Sequence, residues 1–249
     1  MNGFAKVLTA MLVIAVAFVA GCKKPDVPND GGNDNNGNDT VINNGDDSLI
    51  VHEFVDLGLP SGTLWATCNI GANKPEDCGD YFAWGEIQPK DVYDWKSYRY
   101  GNLVYDHFEL TKYCTDASYG LNGFVDNLVV LETVDDAATA NWGTEWRMPT
   151  KEEWKELYMK TTCTHAVQNG VDGWLFTASN GNTLFLPAAG FCIDDGPVCT
   201  GLGTYWSSSL HTDYLDRGWS FHFDSDECHV CGTYERSRGQ VVRAVRVAR

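Results

Sequence analysis

The side chains with the clearest capacity for chemistry lie near the end of the sequence, in Cys228-His229-Val230-Cys231. Two thiolates and an imidazole could supply three of the four tetrahedral ligands of a zinc ion. The chain has no second Cys-x-x-Cys pair to complete such a site. The same two cysteines could instead form a redox pair or a disulfide, or remain surface thiols, and spacing alone leaves these alternatives open. We expect no bound metal and no other cofactor.

A second group of reactive residue types is the serine run Ser207-Ser208-Ser209, which is followed by His211, His222 and Asp224. These are the residue types of a nucleophilic triad. The serines lack the Gly-x-Ser-x-Gly turn that exposes the nucleophile of an α/β-hydrolase. We therefore expect their hydroxyls to hydrogen-bond within a strand, and we predict no catalytic residue.

The polar residues that follow this serine run are better suited to binding than to catalysis. Tyr and Arg combine a large contact area with hydrogen-bonding tips, which makes them efficient anchors at interfaces. The residues that we assign to a ligand-binding surface are His211, Asp213, Tyr214, Arg217, His222, Asp224, His229, Thr233, Tyr234 and Arg238. The ligand on this interpretation is an unidentified protein or glycan.

A strand with one apolar face is predicted to hold part of this surface. Trp219, Phe221 and Phe223 occupy every second position and would therefore share one face. That face would anchor the strand to a core. The alternate face, which carries Ser220 and His222, is expected to remain free to contact a ligand.

Elsewhere the sequence predicts short strands, one or two helices and long loops, which together indicate an α+β fold. The predicted strands are Phe54–Leu57, Thr63–Cys68, Asp80–Trp84, Trp174–Thr177 and Thr183–Leu186. Asn180-Gly181 between the last two is a strong hairpin signal. One helix is predicted over Asp135–Trp142. A second begins after Pro149, where Thr150 and Glu153 have the spacing of a capping box.

The N-terminal residues predict export and lipidation. Lys6 precedes the apolar run Val7–Ala20, which is too short for a membrane span of about twenty residues. The run ends in Val19-Ala20-Gly21-Cys22, which resembles a bacterial lipobox. We therefore predict a lipoprotein signal peptide over residues 1–21, lipidation of Cys22, and an outer-membrane lipoprotein that faces the periplasm or the cell surface.

The remaining chain divides by composition into a tether and a domain. Residues 22–48 are rich in Asn, Asp and Gly and lack apolar periodicity, which predicts a disordered tether. Residues 49–249 are rich in aromatic residues and suffice for one domain with its own core. The formal net charge is −16. An excess of acidic residues disfavours a nucleic-acid partner, because phosphate binding needs a basic surface.

Several segments, in order, resemble one family of bacterial lipoprotein domains. They are Val55-Asp56-Leu57-Gly58-Leu59-Pro60-Ser61-Gly62-Thr63-Leu64-Trp65-Ala66-Thr67-Cys68-Asn69, Tyr81-Phe82-Ala83-Trp84-Gly85-Glu86, Trp146-Arg147-Met148-Pro149-Thr150 through Trp154, Leu184-Phe185-Leu186-Pro187-Ala188-Ala189-Gly190, Tyr205-Trp206-Ser207-Ser208-Ser209 and Val241-Val242-Arg243. The combination is similar to the Fibrobacter succinogenes major paralogous domain, which is abundant in Bacteroidetes lipoproteins. The resemblance covers about Phe54 to Val247.

This resemblance implies a C-type-lectin-like fold that is distantly related to the formylglycine-generating enzyme. It implies that Phe54–Leu57 lies beside Val241–Val247. Some proteins with this fold resemble the variable proteins of diversity-generating retroelements, which bind ligands through a variable C-terminal surface. We therefore expect a cell-envelope binding domain held to the membrane by its lipid, and not an enzyme. The alternative is an enzyme-like relative that uses Cys228 and Cys231 for metal or redox chemistry.

Overall fold

Regular structure in the described part of the chain consists mainly of short strands. The computed structural model describes residues 51–104, 107–198 and 201–247. The helices within these ranges are α1 (Ala137–Trp142), α2 (Lys151–Lys160) and two 3-10 helices, Leu121–Gly123 and Thr133–Asp135. The strands, numbered β1 to β15 in chain order, are Phe54–Asp56, Thr63–Ala66, Tyr81–Phe82, Gly101–Val104, His107–Leu110, Thr161–Gln168, Val171–Ala178, Thr183–Pro187, Phe191–Ile193, Gly196–Val198, Gly203–Leu210, Arg217–Phe223, Cys228–Glu235, Gln240–Val241 and Val245–Val247. The chain is thus an α+β domain with long loops, as the sequence predicted.

The largest sheet is built mainly from the C-terminal segment. Its five strands lie in the order β13-β12-β11-β14-β3. All neighbours are antiparallel except β11 and β14, which pair in parallel. The predicted strand with alternating apolar residues is β12, so that prediction is confirmed.

Both faces of this sheet are covered by apolar side chains. A first core cluster includes Phe82, Trp84, Tyr98, Tyr113, Trp146 and Trp206. A second core cluster includes Trp65, Trp154, Phe176, Tyr205, Phe221 and Phe223. Phe221 and Phe223 are buried in the second cluster, as their spacing predicted. Ser220 lies on the opposite face but is only 2% exposed, because its cross-strand partner Trp206 belongs to the first cluster. The prediction of a free face is therefore wrong at Ser220.

Tryptophan side chains stabilise the strand β11 at the point where its pairing with β12 is irregular. The register between these strands shifts between Trp206 and Leu210. A register shift takes backbone carbonyls out of the ladder, and a buried carbonyl without a donor is costly. The indole N–H of Trp154 donates to the Trp206 carbonyl at 3.2 Å, and that of Trp84 donates to the Ser207 carbonyl at 2.9 Å. The two core clusters therefore satisfy the irregular backbone from opposite sides.

The helix α2 begins where the sequence predicted. The Thr150 hydroxyl accepts a hydrogen bond from the Glu153 N–H, and the Glu153 carboxylate accepts one from the Thr150 N–H, which completes the capping box. Trp154 and Leu157 are buried and place the helix against β11, β12 and β13. The Trp154 ring stacks on Phe221 with 4.8 Å between ring centroids. The helix thus covers the apolar face of β12.

A second sheet, in the order β6-β7-β8, contains the predicted hairpin. The turn between β7 and β8 includes Asn180 and Gly181, and Gly181 has a φ of +86° that favours glycine. The prediction of this hairpin is confirmed. The sequence did not predict β6, whose residues are polar and only partly buried.

The third sheet corrects one implication of the family resemblance. Its order is β1-β2-β15, with both pairs antiparallel. β1 and β15 are therefore members of the same sheet, but β2 lies between them. The implied position of Phe54–Leu57 beside the C-terminal segment therefore holds for Val245–Val247, with the Arg246 guanidinium 5.1 Å from the Phe54 ring centroid, but not for Val241. Val241 instead belongs to β14 in the five-stranded sheet.

Several sequence predictions fall outside the described residues. These are the signal peptide over 1–21, the lipidation of Cys22 and the tether over 22–48. The side chain of Cys231 also lies outside the description. Within the described ranges, neither α-helix has the length and apolar composition needed to cross a membrane.

Candidate functional site

The predicted ligand-binding residues fall into two groups on opposite faces of the five-stranded sheet. We call the first group the turn cluster: His211, Asp213, Tyr214 and Arg217, with Trp219 and Lys151. We call the second the ribbon row: His222, His229, Tyr234 and Arg238, with Phe191. Because successive strand residues alternate in direction, Trp219 lies on the α2 side of the sheet and His222 on the other side. The sequence therefore predicted one surface where the structure has two.

His211 organises the turn cluster from inside. Its Nδ1 accepts hydrogen bonds from the backbone N–H groups of Asp213 at 3.2 Å and Tyr214 at 3.1 Å. The imidazole is 7% exposed, and burial lowers its pKa below the ordinary value. A neutral Nδ1 can accept hydrogen bonds, whereas a protonated one cannot. His211 therefore shapes the turn between β11 and β12 and presents little of its ring to solvent.

The ring of Trp219 has close partners in the turn cluster. His211 stacks on it with 4.4 Å between ring centroids, and the Lys151 ammonium lies 3.4 Å from the ring centroid. The exposed parts of the cluster are Asp213 and Tyr214, whose side chain is 58% exposed. The Arg217 guanidinium lies 6.0 Å from the Tyr214 ring centroid. The edge of this cluster has the Tyr214 ring and the Arg217 guanidinium, but the central rings of His211 and Trp219 already pack against other side chains.

The ribbon row is a continuous series of ring contacts. His222 and His229 are directly opposite each other on β12 and β13, and their rings stack at 4.6 Å. The Tyr234 ring meets His222 edge-on at 6.0 Å and contacts Phe191 at 5.8 Å. The Arg238 guanidinium lies 5.5 Å from the Phe191 centroid and 6.0 Å from that of Tyr234. All five side chains are half-buried, so each retains a face toward solvent.

Glycine packing fixes the position of His222 in the row. A Cβ at Gly232 would lie 2.1 Å from His222 Nδ1, so the imidazole packs directly on the β13 backbone. His222 Nδ1 is buried with no hydrogen-bond partner. Burial lowers the pKa of His222, the neighbouring His229 lowers it further, and Asp224 opposes both. The surroundings of the His222 imidazole therefore favour its neutral form.

Two other predicted ligand residues do not belong to the ribbon row. One Asp224 carboxylate oxygen accepts hydrogen bonds from the N–H groups of Asp226 at 2.8 Å and Glu227 at 3.0 Å. These bonds lower the Asp224 pKa and form the turn between β12 and β13. Thr233 pairs with Trp219 across the strands and so lies on the α2 side, away from the ribbon row.

The structure separates the members of the Cys-His-x-Cys segment. Cys228 pairs with Phe223 and packs against the second core cluster, whereas His229 faces His222 on the other side. Adjacent strand residues that point in opposite directions cannot ligate one ion. Among the side chains described, no group of three or more His, Cys, Asp or Glu residues is arranged to hold a metal.

The serine run is part of the scaffold. Ser207, Ser208 and Ser209 are buried in β11. The Ser207 hydroxyl donates to the Trp219 carbonyl at 2.9 Å, and the Ser209 hydroxyl accepts from the Lys151 N–H at 3.1 Å. These bonds match the prediction that the hydroxyls stabilise the strand.

Two contributors to these clusters were not predicted from the sequence. Lys151 comes from the first turn of α2, and Phe191 comes from β9. Neither belongs to the C-terminal segment, and no local pattern marks either of them. Their contacts exist only because the fold brings α2 and β9 to this sheet.

Comparison with known proteins adds no relative: no family model matches the chain, and no curated protein or solved structure is significantly similar to it.

Proposed function

We propose that this chain is a lipid-anchored protein of the bacterial cell envelope that binds a protein or glycan ligand through the ribbon row. The observation that carries the proposal is the continuous set of half-buried rings from His229 to Phe191, with the Arg238 guanidinium beside them. Aromatic rings that are already ordered lose little conformational entropy when a ligand covers them. An arginine beside them adds directional hydrogen-bond donors.

The ribbon row is a better candidate than the turn cluster because its half-buried rings form one continuous series that ends at a guanidinium. In the turn cluster, Trp219 is in contact with both His211 and Lys151. In the ribbon row, Tyr234 and Phe191 form the rim and remain half-buried. We place the turn cluster outside the primary contact and assign it a supporting role through the exposed Tyr214.

The anchoring part of the proposal rests on sequence features. Val19-Ala20-Gly21-Cys22 resembles a lipobox, and residues 22–48 have the composition of a flexible tether. A lipid contributes about 0.8 kcal/mol for each buried methylene, so several acyl chains hold a protein without a membrane-spanning helix. A domain on such a tether could reach ligands in the periplasm or at the cell surface.

The finer fold assignment, a C-type-lectin-like domain of the Fibrobacter succinogenes type, is part of the same proposal. It is supported by where the motif residues lie. Trp65, Trp84, Trp154 and Trp206 all come from the segments that carry the resemblance, and all are buried. Such a motif set accounts for a core and leaves the ligand undefined.

The test is a binding screen of the purified protein against a glycan array and a panel of envelope proteins. For any ligand found, Tyr234→Ala and Arg238→Ala should each weaken binding about tenfold or more. Tyr119→Ala and Arg99→Ala are matched controls, because Tyr119 is exposed and Arg99 stacks on Tyr100 at 5.3 Å, both outside the row. Equal affinity of all four variants for the ligand would rule out the ribbon row as its site.

A further inference from the structure

Two cysteines that are far apart in the sequence approach each other between the five-stranded sheet and the hairpin sheet, β6-β7-β8. Cys163 lies on β6, the edge strand of the hairpin sheet, and Cys228 begins β13, the edge strand of the five-stranded sheet. Their thiols lie near enough to interact with each other, and α2 packs against both of their strands. Both side chains are half-buried and pack against the second core cluster. The fold therefore brings together two sulfurs that no sequence motif connects.

Cys114 and Cys68 contact their own chain neighbours instead. The Cys114 thiol donates to the Asp116 carbonyl at 3.1 Å, and the Cys68 sulfur lies 3.7 Å from the Thr67 hydroxyl. Cys114 is also fully buried. A buried thiol in an apolar site is unreactive, whereas a partly exposed pair in contact can be oxidised.

The contact makes the two thiols unequal. The hydrogen bond from Cys228 lowers the pKa of Cys163, although burial opposes this shift. The same hydrogen bond and burial raise the pKa of Cys228. Since the thiolate is the nucleophile in disulfide exchange, Cys163 is the residue that would react first.

We propose that Cys163 and Cys228 form a disulfide when the chain meets a disulfide oxidant, either a small molecule or an oxidised protein dithiol. The Cys163 thiolate attacks one sulfur of the oxidant and displaces its other half as a thiolate, which takes up a proton. Cys228 then loses its proton and attacks the Cys163 sulfur, which releases the second half of the oxidant as a thiol. Two protein thiols are oxidised to one cystine, and one oxidant disulfide is reduced to two thiols.

The disulfide would join the edge of the hairpin sheet to the edge strand that carries His229. A cross-link between residues distant in sequence stabilises a domain mainly by restricting its unfolded chain. The melting temperature of the oxidised protein should therefore exceed that of the reduced protein by about 5–10 °C. This inference does not depend on any ligand of the ribbon row.

The experiment uses the full chain, reduced and then incubated with oxidised glutathione at mildly alkaline pH. Remaining thiols are alkylated, and mass spectrometry counts the cysteines that escape alkylation. We expect one disulfide that is lost in Cys163→Ala and in Cys228→Ala. Cys114→Ala and Cys231→Ala are the matched controls and should retain it.

Thermal melting provides a second measurement that does not depend on peptide recovery. The Cys163→Ala/Cys228→Ala variant should melt near the reduced wild-type protein and should no longer respond to oxidised glutathione. A disulfide that survives Cys163→Ala but disappears in Cys231→Ala would overturn the proposal, because it would pair Cys228 with Cys231. Two free thiols at Cys163 and Cys228 after full oxidation would overturn it equally.

Discussion

Arg236 and Arg238 lie two residues apart, yet they belong to two regions with opposite surroundings. Arg236 is fully buried beside the first core cluster, where its guanidinium lies 5.0 Å from the Trp84 ring centroid. Arg238 lies in the ribbon row, half-buried, and its Nε donates to a Glu235 carboxylate oxygen at 3.0 Å. One arginine therefore faces a core and the other faces solvent.

The comparison shows how a buried arginine stabilises this fold. The Arg236 guanidinium donates to the carbonyls of Lys112, Tyr113 and Leu215 and to the Tyr98 hydroxyl. These acceptors come from three separate loops or strand ends, and arginine has five N–H donors in a fixed plane. Arg243 repeats the arrangement, with bonds to the Asn69 side chain and to three carbonyls. Buried arginines thus connect irregular segments that have few strand contacts of their own.

The largest effect expected from this contrast is the loss of Arg236. Arg236→Ala removes the donor of the buried Tyr113 and Leu215 carbonyls and of the partly buried Lys112 carbonyl, and it creates a cavity beside Trp84. Each unpaired buried group costs about 1–3 kcal/mol, so the free energy of unfolding should fall by roughly 3–5 kcal/mol. Urea denaturation followed by tryptophan fluorescence measures the change.

Arg238→Ala is the matched control for that experiment. An exposed ion pair contributes about 1 kcal/mol or less, so this variant should unfold close to the wild-type midpoint. Arg236→Lys should recover part of the loss, because an ammonium supplies three donors in place of five. If Arg236→Ala and Arg238→Ala lower the free energy of unfolding equally, the buried arginine and the half-buried arginine contribute equally to stability, contrary to the proposal.

The second largest effect concerns the ribbon row itself. In Gly232→Ala the new Cβ would lie 2.1 Å from His222 Nδ1 and must displace the ring. Overpacking of this kind typically costs about 1–3 kcal/mol. The free energy of unfolding and the His222 ring resonances in NMR spectra measure the two consequences.

A double variant tests whether the clash is with His222. Gly232→Ala combined with His222→Ala should lose less stability than the sum of the two single changes, because the clashing ring is gone. Gly196→Ala is the control, since a Cβ there meets no atom within 4 Å. If the two changes in the free energy of unfolding are strictly additive, the destabilisation by Gly232→Ala arises in the β13 backbone and not from a clash with His222.

Sequence reasoning succeeded where the signal is local. The Thr150–Glu153 capping box, the Asn180-Gly181 turn and the alternation of β12 each depend on residues within a few positions of one another. Chain-local geometry is enough to specify such elements. The strands β4, β5 and β6 were missed, because their residues are not strongly apolar or alternating.

Sequence reasoning failed where the answer depends on what distant segments cover. Nothing near Ser220 indicates that the first core cluster closes over its side of the sheet. Nothing distinguishes Arg236 from Arg238 by type or by local pattern. The approach of Cys163 to Cys228 likewise depends on α2, which packs against both β6 and β13. Each of these properties depends on tertiary contacts. The predicted ligand residues all come from one segment of the chain, but the fold places most of them in two separate clusters.

A smaller effect is expected in the turn cluster. The Lys151 ammonium lies 3.4 Å from the Trp219 ring centroid. A cation–π contact at a partly exposed site contributes about 0.5–1 kcal/mol. Lys151 also lies in the first turn of α2, where a positive charge is unfavourable by a similar amount. A single Lys151→Met change could therefore have either sign.

A double-mutant cycle removes this ambiguity. We expect a coupling free energy of about 0.5–1 kcal/mol from Lys151→Met, Trp219→Leu and their combination. The effect of the Lys151 charge on the helix terminus is the same with and without the Trp219 ring, so it cancels in the cycle. The coupling should weaken in concentrated salt as the charge is screened. A coupling of zero at low salt would mean that the ammonium does not hold the ring in solution, and Trp219 would then become a second candidate contact surface beside the ribbon row.

The smallest effect expected is the pH dependence that His222 contributes. Burial and the neighbouring His229 lower the pKa of His222 in the folded protein, while Asp224 opposes them. In the unfolded chain the imidazole titrates near pH 6.5. Between the folded pKa and about pH 6.5 the unfolded state binds more protons, so stability falls as the pH falls through that window. Above the window His222 contributes no pH dependence.

His222→Gln should reduce this slope without abolishing it, because burial also lowers the pKa of His52 and His211. Urea midpoints measured between about pH 5 and pH 7.5 isolate the histidines, since most carboxylates titrate lower. An unchanged slope in His222→Gln would mean that the ring is solvated in the folded state. In that case the His222 imidazole would be hydrated in the folded protein, as the Arg238 guanidinium is. The buried region that surrounds Arg236 would then not extend to the face of β12 that carries His222.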